Sequence, residues 1–140
     1  MTRDAMLALF AKRQEAMARL DSEALAVLHA EDGVVESPLA GGTATGREAI
    51  QEVYQAFFTW SSPTIEQEEL LIDGSHAMCL YRVSGTDKGG FMGMRPTGRS
   101  FAVPMVGIFE VRDGLIARER RIYDFTGLLV QVGVIKAKPV

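Results

Sequence analysis

The run LIARERRIYD, residues 115 to 124, brings three arginines and two acids into a segment that also carries core-type residues. Side chains of an extended strand alternate. Ile116, Arg118, Arg120, Ile122 and Asp124 therefore share one face, and Leu115, Ala117, Glu119, Arg121 and Tyr123 share the other. Neither face is cleanly apolar. If the even face looks inward, Arg120 and Asp124 enter an apolar space together. Burial favours a neutral carboxyl and a nearby guanidinium favours an ionised one. That balance suits general acid–base catalysis, worth about 10²–10⁴-fold in rate. The competing role for Asp124 is structural: an ion pair, or a cap on the positive end of the short helix that follows.

Other residues could line such a site. Tyr54 and Trp60 belong to a helical segment and read first as core, but either can turn its polar tip to a cavity. Phe91, Met92 and Met94 sit in a glycine-rich stretch, TDKGGFMGMRPTGRS, that reads as a rim over a pocket or a contact with a partner. Its glycines lack the Lys-Ser/Thr ending and following helix of a phosphate loop. Glu36 and Ser37 are alternatives to one another, since a one-residue slip of their strand exchanges which faces inward. Met105 is an apolar strand residue placed with the pocket lining. His29 and His76 lie far apart, outside any metal-ligand spacing, and read as surface or capping residues; no metal site is expected. Cys79, the one cysteine, reads as a small buried apolar residue.

The elements that must hold these residues follow from periodicity. Met6, Leu9, Phe10, Met17 and Leu20 fall mostly on one face of a first helix. Asp21 or Ser22 caps a short second helix, ended by Asp32-Gly33. VVES is a short strand stopped by Pro38. Thr45 and Glu48 form a capping box opening a third helix, with Ile50, Val53, Tyr54 and Phe57 at i, i+3, i+4, i+7. The back half reads as strands: IEQEELLI and HAMCLYRVSG across Asp73-Gly74, then FAVPMVGIFEV and LIARERRIYD across RDG. Thr126 can cap a last short helix. Helices followed by an antiparallel meander give an α+β fold with helices on one face of a curved sheet. Such a sheet makes a cone, and a cone has a pocket.

The totals bound the function. A chain of 140 residues fits one domain, taken as residues 1–140. A net charge of −3 gives no basic footprint for nucleic acid. No apolar run reaches the length of a membrane span, the N-terminus has no signal-peptide pattern, and a lone cysteine suits a reducing compartment. A cytoplasmic protein is expected. Met78, Leu80, Phe101, Val103, Met105 and Phe109 place apolar groups on both sheet faces, but the helices cover only one. The other face is expected to be buried in a homodimer.

The GT…G.F.G..PTGR block (from Gly85 to Arg99), the RDG.I turn and the aspartate before LL.Q.G resemble the SnoaL-like polyketide cyclase branch of the nuclear transport factor 2-like superfamily. AEDGVVESPLAGGTATGREAI resembles the earlier part of the same superfamily. The resemblance implies an α+β cone, a dimer through the outer sheet face, no cofactor, and an apolar small-molecule ligand in the cone. It also implies roles. The late aspartate of these cyclases serves as acid–base and matches Asp124, although the histidine they carry on the preceding strand is missing. Ketosteroid isomerases carry their base in V-E-D-P, where this chain reads VESP with Ser37. The tyrosine of their first helix is also missing, and Arg13 lies near its place. Limonene-epoxide hydrolases pair Arg-x-Asp on a middle strand with a late aspartate. Here YRVS supplies Arg82 and Ser84. The expected chemistry is proton transfer at an activated carbon, as in aldol-type cyclisation or isomerisation. Asp124 would be acid/base, with Arg82 and Arg120 holding an oxyanion. Epoxide hydrolysis and non-catalytic ligand binding are the alternatives.

Overall fold

In the computed structural model, residues 1–38 and 42–138 are described. They form α1 (Arg3–Ala18), α2 (Ser22–Val27), β1 (His29–Ser37), β2 (Gly42–Thr45), α3 (Arg47–Ser61), β3 (Thr64–Asp73), β4 (His76–Thr86), β5 (Ser100–Arg112), β6 (Leu115–Tyr123) and α4 (Phe125–Gln131), with a 3-10 turn at Phe91–Gly93. The sheet order is β2-β1-β6-β5-β4-β3. Only the β1–β6 pair is parallel; the other neighbours are antiparallel. The helices and this mixed sheet make the expected α+β cone fold. Its core joins Met6, Leu9, Phe10 and Met17 of α1 to the odd-numbered residues of β4 and β5, among them Cys79, Tyr81, Val83, Phe101, Val103 and Phe109.

Local chemistry departs from the sequence reading at the joints. Asp21, not Ser22, caps α2, accepting from the Ala24 amide. Gly33 does not stop a helix: β1 starts at His29, and the β1–β6 register shifts between His29 and Val34. A Cβ at Gly33 would lie 2.9 Å from the Ala30 carbonyl oxygen, so the glycine permits that irregularity. The Thr45–Glu48 capping box does not form, because Thr45 is committed to pairing with Val34 in β2. Gly46 takes the cap position at φ +90 instead, a conformation that favours glycine. Beyond the end of β6, Gln131 of α4 covers the free edge of β5 by exchanging hydrogen bonds with the Ala102 backbone.

One irregularity decides the site. In the β5–β6 pair, Val111 faces Ile116 but Glu110 faces Arg118, so Ala117 is an extra residue. Such a bulge inverts the alternation of everything after it. Ile116, before it, is buried in the core. After it, the odd residues Glu119, Arg121 and Tyr123 face inward, and Arg118, Arg120 and Ile122 face outward, with Ile122 53% exposed. The outer sheet face also leaves Leu71 and Met78 exposed.

Candidate functional site

Inside the cone the bulge delivers a carboxylate to four cationic or polar partners. Glu119 is fully buried. Its Oε1 accepts from the Tyr54 hydroxyl at 2.5 Å and Arg13 Nη2 at 3.4 Å, and faces His29 Nε2 at 3.2 Å. Its Oε2 accepts from Arg121 Nε at 2.6 Å. Arg13 also donates to the hydroxyls of Tyr81, at 2.5 Å, and Tyr54, at 3.0 Å. Its guanidinium carbon lies 4.7 Å from the centre of the Phe109 ring, and that of Arg121 lies 4.4 Å from the Tyr54 ring. His29 turns Nδ1 to the Leu25 carbonyl at 2.9 Å, so both its nitrogens face oxygen acceptors.

The electrostatics follow from the contacts. Burial alone would raise the Glu119 carboxyl, but Arg121, Arg13 and the His29 hydrogen bond overcome it and hold the group well below the usual carboxylate range. Burial pushes the hydroxyls of Tyr54 and Tyr81 up against the pull of Arg13, so both stay neutral. Two guanidinium charges thus face one carboxylate. Arg13 Nε and Arg121 Nη2 are buried with no acceptor among the described residues.

Two spaces meet at this cluster. A small inner one of about 30 Å³ is lined by Arg13, Tyr54, Tyr81, Glu119, Arg121 and Met105, among others. The larger, about 600 Å³, is a cleft walled by Ala49, Val53, Ala56, Trp60, Phe91 and Met92, among others. Ser37, Phe57 and Arg121 line both. The cleft has the size and apolar walls of a small-molecule site. Glu52 is the other charged residue lining it, exposed on α3.

Asp87 holds the rim. It is inaccessible to solvent. Its Oδ1 accepts from Trp60 Nε1 at 2.9 Å and the Gly90 amide at 3.0 Å, and its Oδ2 from the Thr97 amide at 3.0 Å. Burial raises its carboxyl, but the bonds from Thr97, Trp60 and Gly90 lower it further, and the net shift is downward. Trp60 in turn stacks on Phe101, with ring centres 5.3 Å apart, and meets Phe91 edge-on at 5.7 Å. The glycine-rich block thus forms the cleft wall.

The structure brings together only some of the residues expected from the sequence. Ser37, Tyr54, Trp60, Phe91 and Met105 line one space or the other. Ser37 faces inward, which settles the register of β1. Glu36 faces outward and pairs with Arg118 and Arg120. The expected placement of Asp124 in the cavity is corrected: it is exposed, and its Oδ1 caps α4 by accepting the Gly127 amide at 2.9 Å. The bulge at Ala117 is the reason, since it turns the even residues that follow it outward. Asp124, not Thr126, is the cap. Arg120 is likewise outside the cone. Arg82 sits on the outer face of β4, its side chain 64% exposed and paired with Glu68, and Ser84 shares that face. His29 is not a surface residue but fully buried. Glu119 and Arg121 were missed as site residues. Arg13 carried a signal: a charge within the apolar stripe of Met6, Leu9, Phe10 and Met17 must find partners inside.

The SnoaL-like domain profile matches residues 4–119. No curated protein gives a significant sequence match. Among solved structures, IdmH from Streptomyces antibioticus, a candidate polyketide cyclase, is 30% identical over 90% of this chain and 96% of its own, with a TM-score of 0.75. A candidate SnoaL-like polyketide cyclase from Jannaschia sp. CCS1 is 16% identical over 97% and 94%, with a TM-score of 0.83. A protein with a ketosteroid isomerase-like fold from Catenulispora acidiphila, in complex with trimethylamine, is 23% identical over 94% and 97%, at 0.78.

Proposed function

The chain belongs to the SnoaL-like family, and from that premise we propose that it is a cofactor-free enzyme acting on an apolar small molecule by proton transfer at carbon, as in aldol-type cyclisation or isomerisation. The observation that carries this reading is the largely buried Arg121 guanidinium lining the cleft, held by Glu119 and lying over the Tyr54 ring, with an N–H that meets no acceptor among the described residues. A donor held in place before the reaction stabilises an oxyanion without reorganising, and such a donor is worth about 10²–10³ in rate. Glu52 on the cleft wall takes the proton from a carbon between two carbonyls. The electron pair passes to the carbonyl oxygen beside Arg121 as an enolate. The carbon then bonds to a second carbonyl carbon of the same molecule, whose oxygen receives the proton. The product is an isomer of the substrate.

Epoxide hydrolysis is disfavoured by the same geometry, since Arg82 and Ser84 face away from the cone. One observation favours non-catalytic binding as a second reading: both oxygens of Glu119 are engaged, so the carboxylate inside the cone has no task left but to hold the arginines. The chain acts as one domain over residues 1–140, in the cytoplasm, as a homodimer through the outer sheet face that exposes Leu71, Met78 and Ile122. Among the described residues, no helix is long and apolar enough to cross a membrane. The test is turnover on a panel of polyketide-like β-dicarbonyls with the wild type, Glu52→Gln and Arg121→Lys. Cyclised product whose rate falls in both variants supports the enzyme. Tight binding with no product from any member supports the binder.

A further inference from the structure

We infer that the ligand enters the cleft as an organic monoanion, an apolar ring system bearing one carboxylate, with the anionic oxygen against Arg121 beside the carbonyl that the reaction turns into an enolate. The inference rests on the cleft being the ligand site and adds the charge class of what fills it. Its basis is a charge deficit. Arg13 and Arg121 bring two fixed positive charges into the interior, and Glu119 supplies one negative charge. His29 cannot supply the other, because an imidazole whose two nitrogens face oxygen acceptors brings no negative charge. Tyr54 and Tyr81 are spent as hydrogen-bond partners of Arg13. Asp87, the other buried acid, has both oxygens tied up in the rim. Glu52 lines the cleft but is exposed to solvent, so water screens it.

One buried positive charge is therefore uncompensated among the described residues. A guanidinium out of water is costly unless paired and hydrogen-bonded. The buried N–H groups without acceptors among the described residues, Arg13 Nε and Arg121 Nη2, belong to the two residues that carry the excess. Both residues line the small inner space, whose 30 Å³ admits about one water-sized group. Arg121 also lines the cleft, whose walls of Ala49, Val53, Ala56, Phe57, Trp60 and Phe91 suit an aromatic or alicyclic body. An oxygen at the inner end and an apolar ring in the cleft together satisfy the charge, the N–H groups and the walls. A neutral ligand satisfies only the walls.

Isothermal titration calorimetry of the wild type with 1-naphthoate and 1-naphthamide tests this, because the pair differs in charge and little in shape. Naphthoate is expected to bind at least about tenfold tighter, with a preference that persists in 0.5 M salt, because a buried contact is little screened. Arg121→Met, checked for folding by circular dichroism, is expected to lose the preference, and Arg121→Lys to keep part of it. Equal affinities in the wild type overturn the inference while leaving the cleft as a ligand site. No binding of either probe overturns the inference and its premise together. A preference surviving in folded Arg121→Met places the anion elsewhere and also overturns it. Turnover on β-dicarbonyls is measured separately, so failure of the proposed reaction is distinguished from failure of the charge class.

Discussion

Replacing Glu119 by Gln isolates what the interior carboxylate does. The side chain keeps its shape, but the negative charge between Arg13 and Arg121 disappears, and an NH₂ replaces an acceptor that now receives either Arg121 or the Tyr54, His29 and Arg13 group. Breaking a buried ion pair by removing one partner costs about 3–5 kcal/mol. That is a large share of the roughly 7–21 kcal/mol available to a chain of this length. In a domain of this size it corresponds to a drop of about 10–20 °C in Tm. By contrast, the exposed Arg82–Glu68 pair should be worth no more than about 1 kcal/mol. The dependence on pH has a definite sign. The folded state holds Glu119 well below its ordinary value of 4.5, so below that value the unfolded chain takes up a proton that the folded one refuses. The stabilisation is intact at neutral pH and lost as pH falls from about 4.5 towards the depressed folded value. Calorimetric scans of wild type and Glu119→Gln between pH 3 and 7 should show a gap that narrows on the acid side. A loss at pH 7 below about 1 kcal/mol, or a gap independent of pH, would refute the reasoning.

Three further outcomes are expected. Asp124→Ala removes a cap and should cost about 1 kcal/mol of stability while leaving turnover and ligand affinity near the wild type; a hundredfold loss of turnover in the folded variant would restore Asp124 as a catalytic group. Asp87→Asn sets an NH₂ against the Trp60 and Gly90 donors or the Thr97 amide, which should cost about 1–3 kcal/mol. Trp60 is the only tryptophan, so a red shift of its emission reads the loosened rim, and unchanged emission would contradict it. Ile122→Lys on the outer face should yield a monomer by sedimentation at micromolar concentration, and an unaltered dimer would move the interface elsewhere.

Most of the architecture is legible in the sequence because it rests on local periodicity: the apolar stripe of α1, the Asp73-Gly74 turn, and the paired runs on either side of RDG. The pocket wall is legible too, through Tyr54, Trp60 and Phe91, because aromatic residues at helical spacing or in a glycine-rich rim have few other places to go. The polar interior is not. Its identity depends on Ala117, an unremarkable residue whose bulge exchanges the two faces of β6. Reading the strand as regular put Asp124 and Arg120 inside because Ile116 needed burial, and Ile116 is indeed buried. The error enters one residue later. The β1–β6 parallel pair is equally hidden, because no local signal ties His29–Ser37 to a strand some eighty residues away.

The most direct measurement is a crystal structure with a slowly reacting β-dicarbonyl analogue bound. The enol or enolate oxygen should lie within about 2.7–3.1 Å of an Arg121 guanidinium nitrogen, with the ring body against Trp60 and Phe91. An analogue seated beside Asp124, or in the cleft with its oxygen turned away from Arg121, would contradict it.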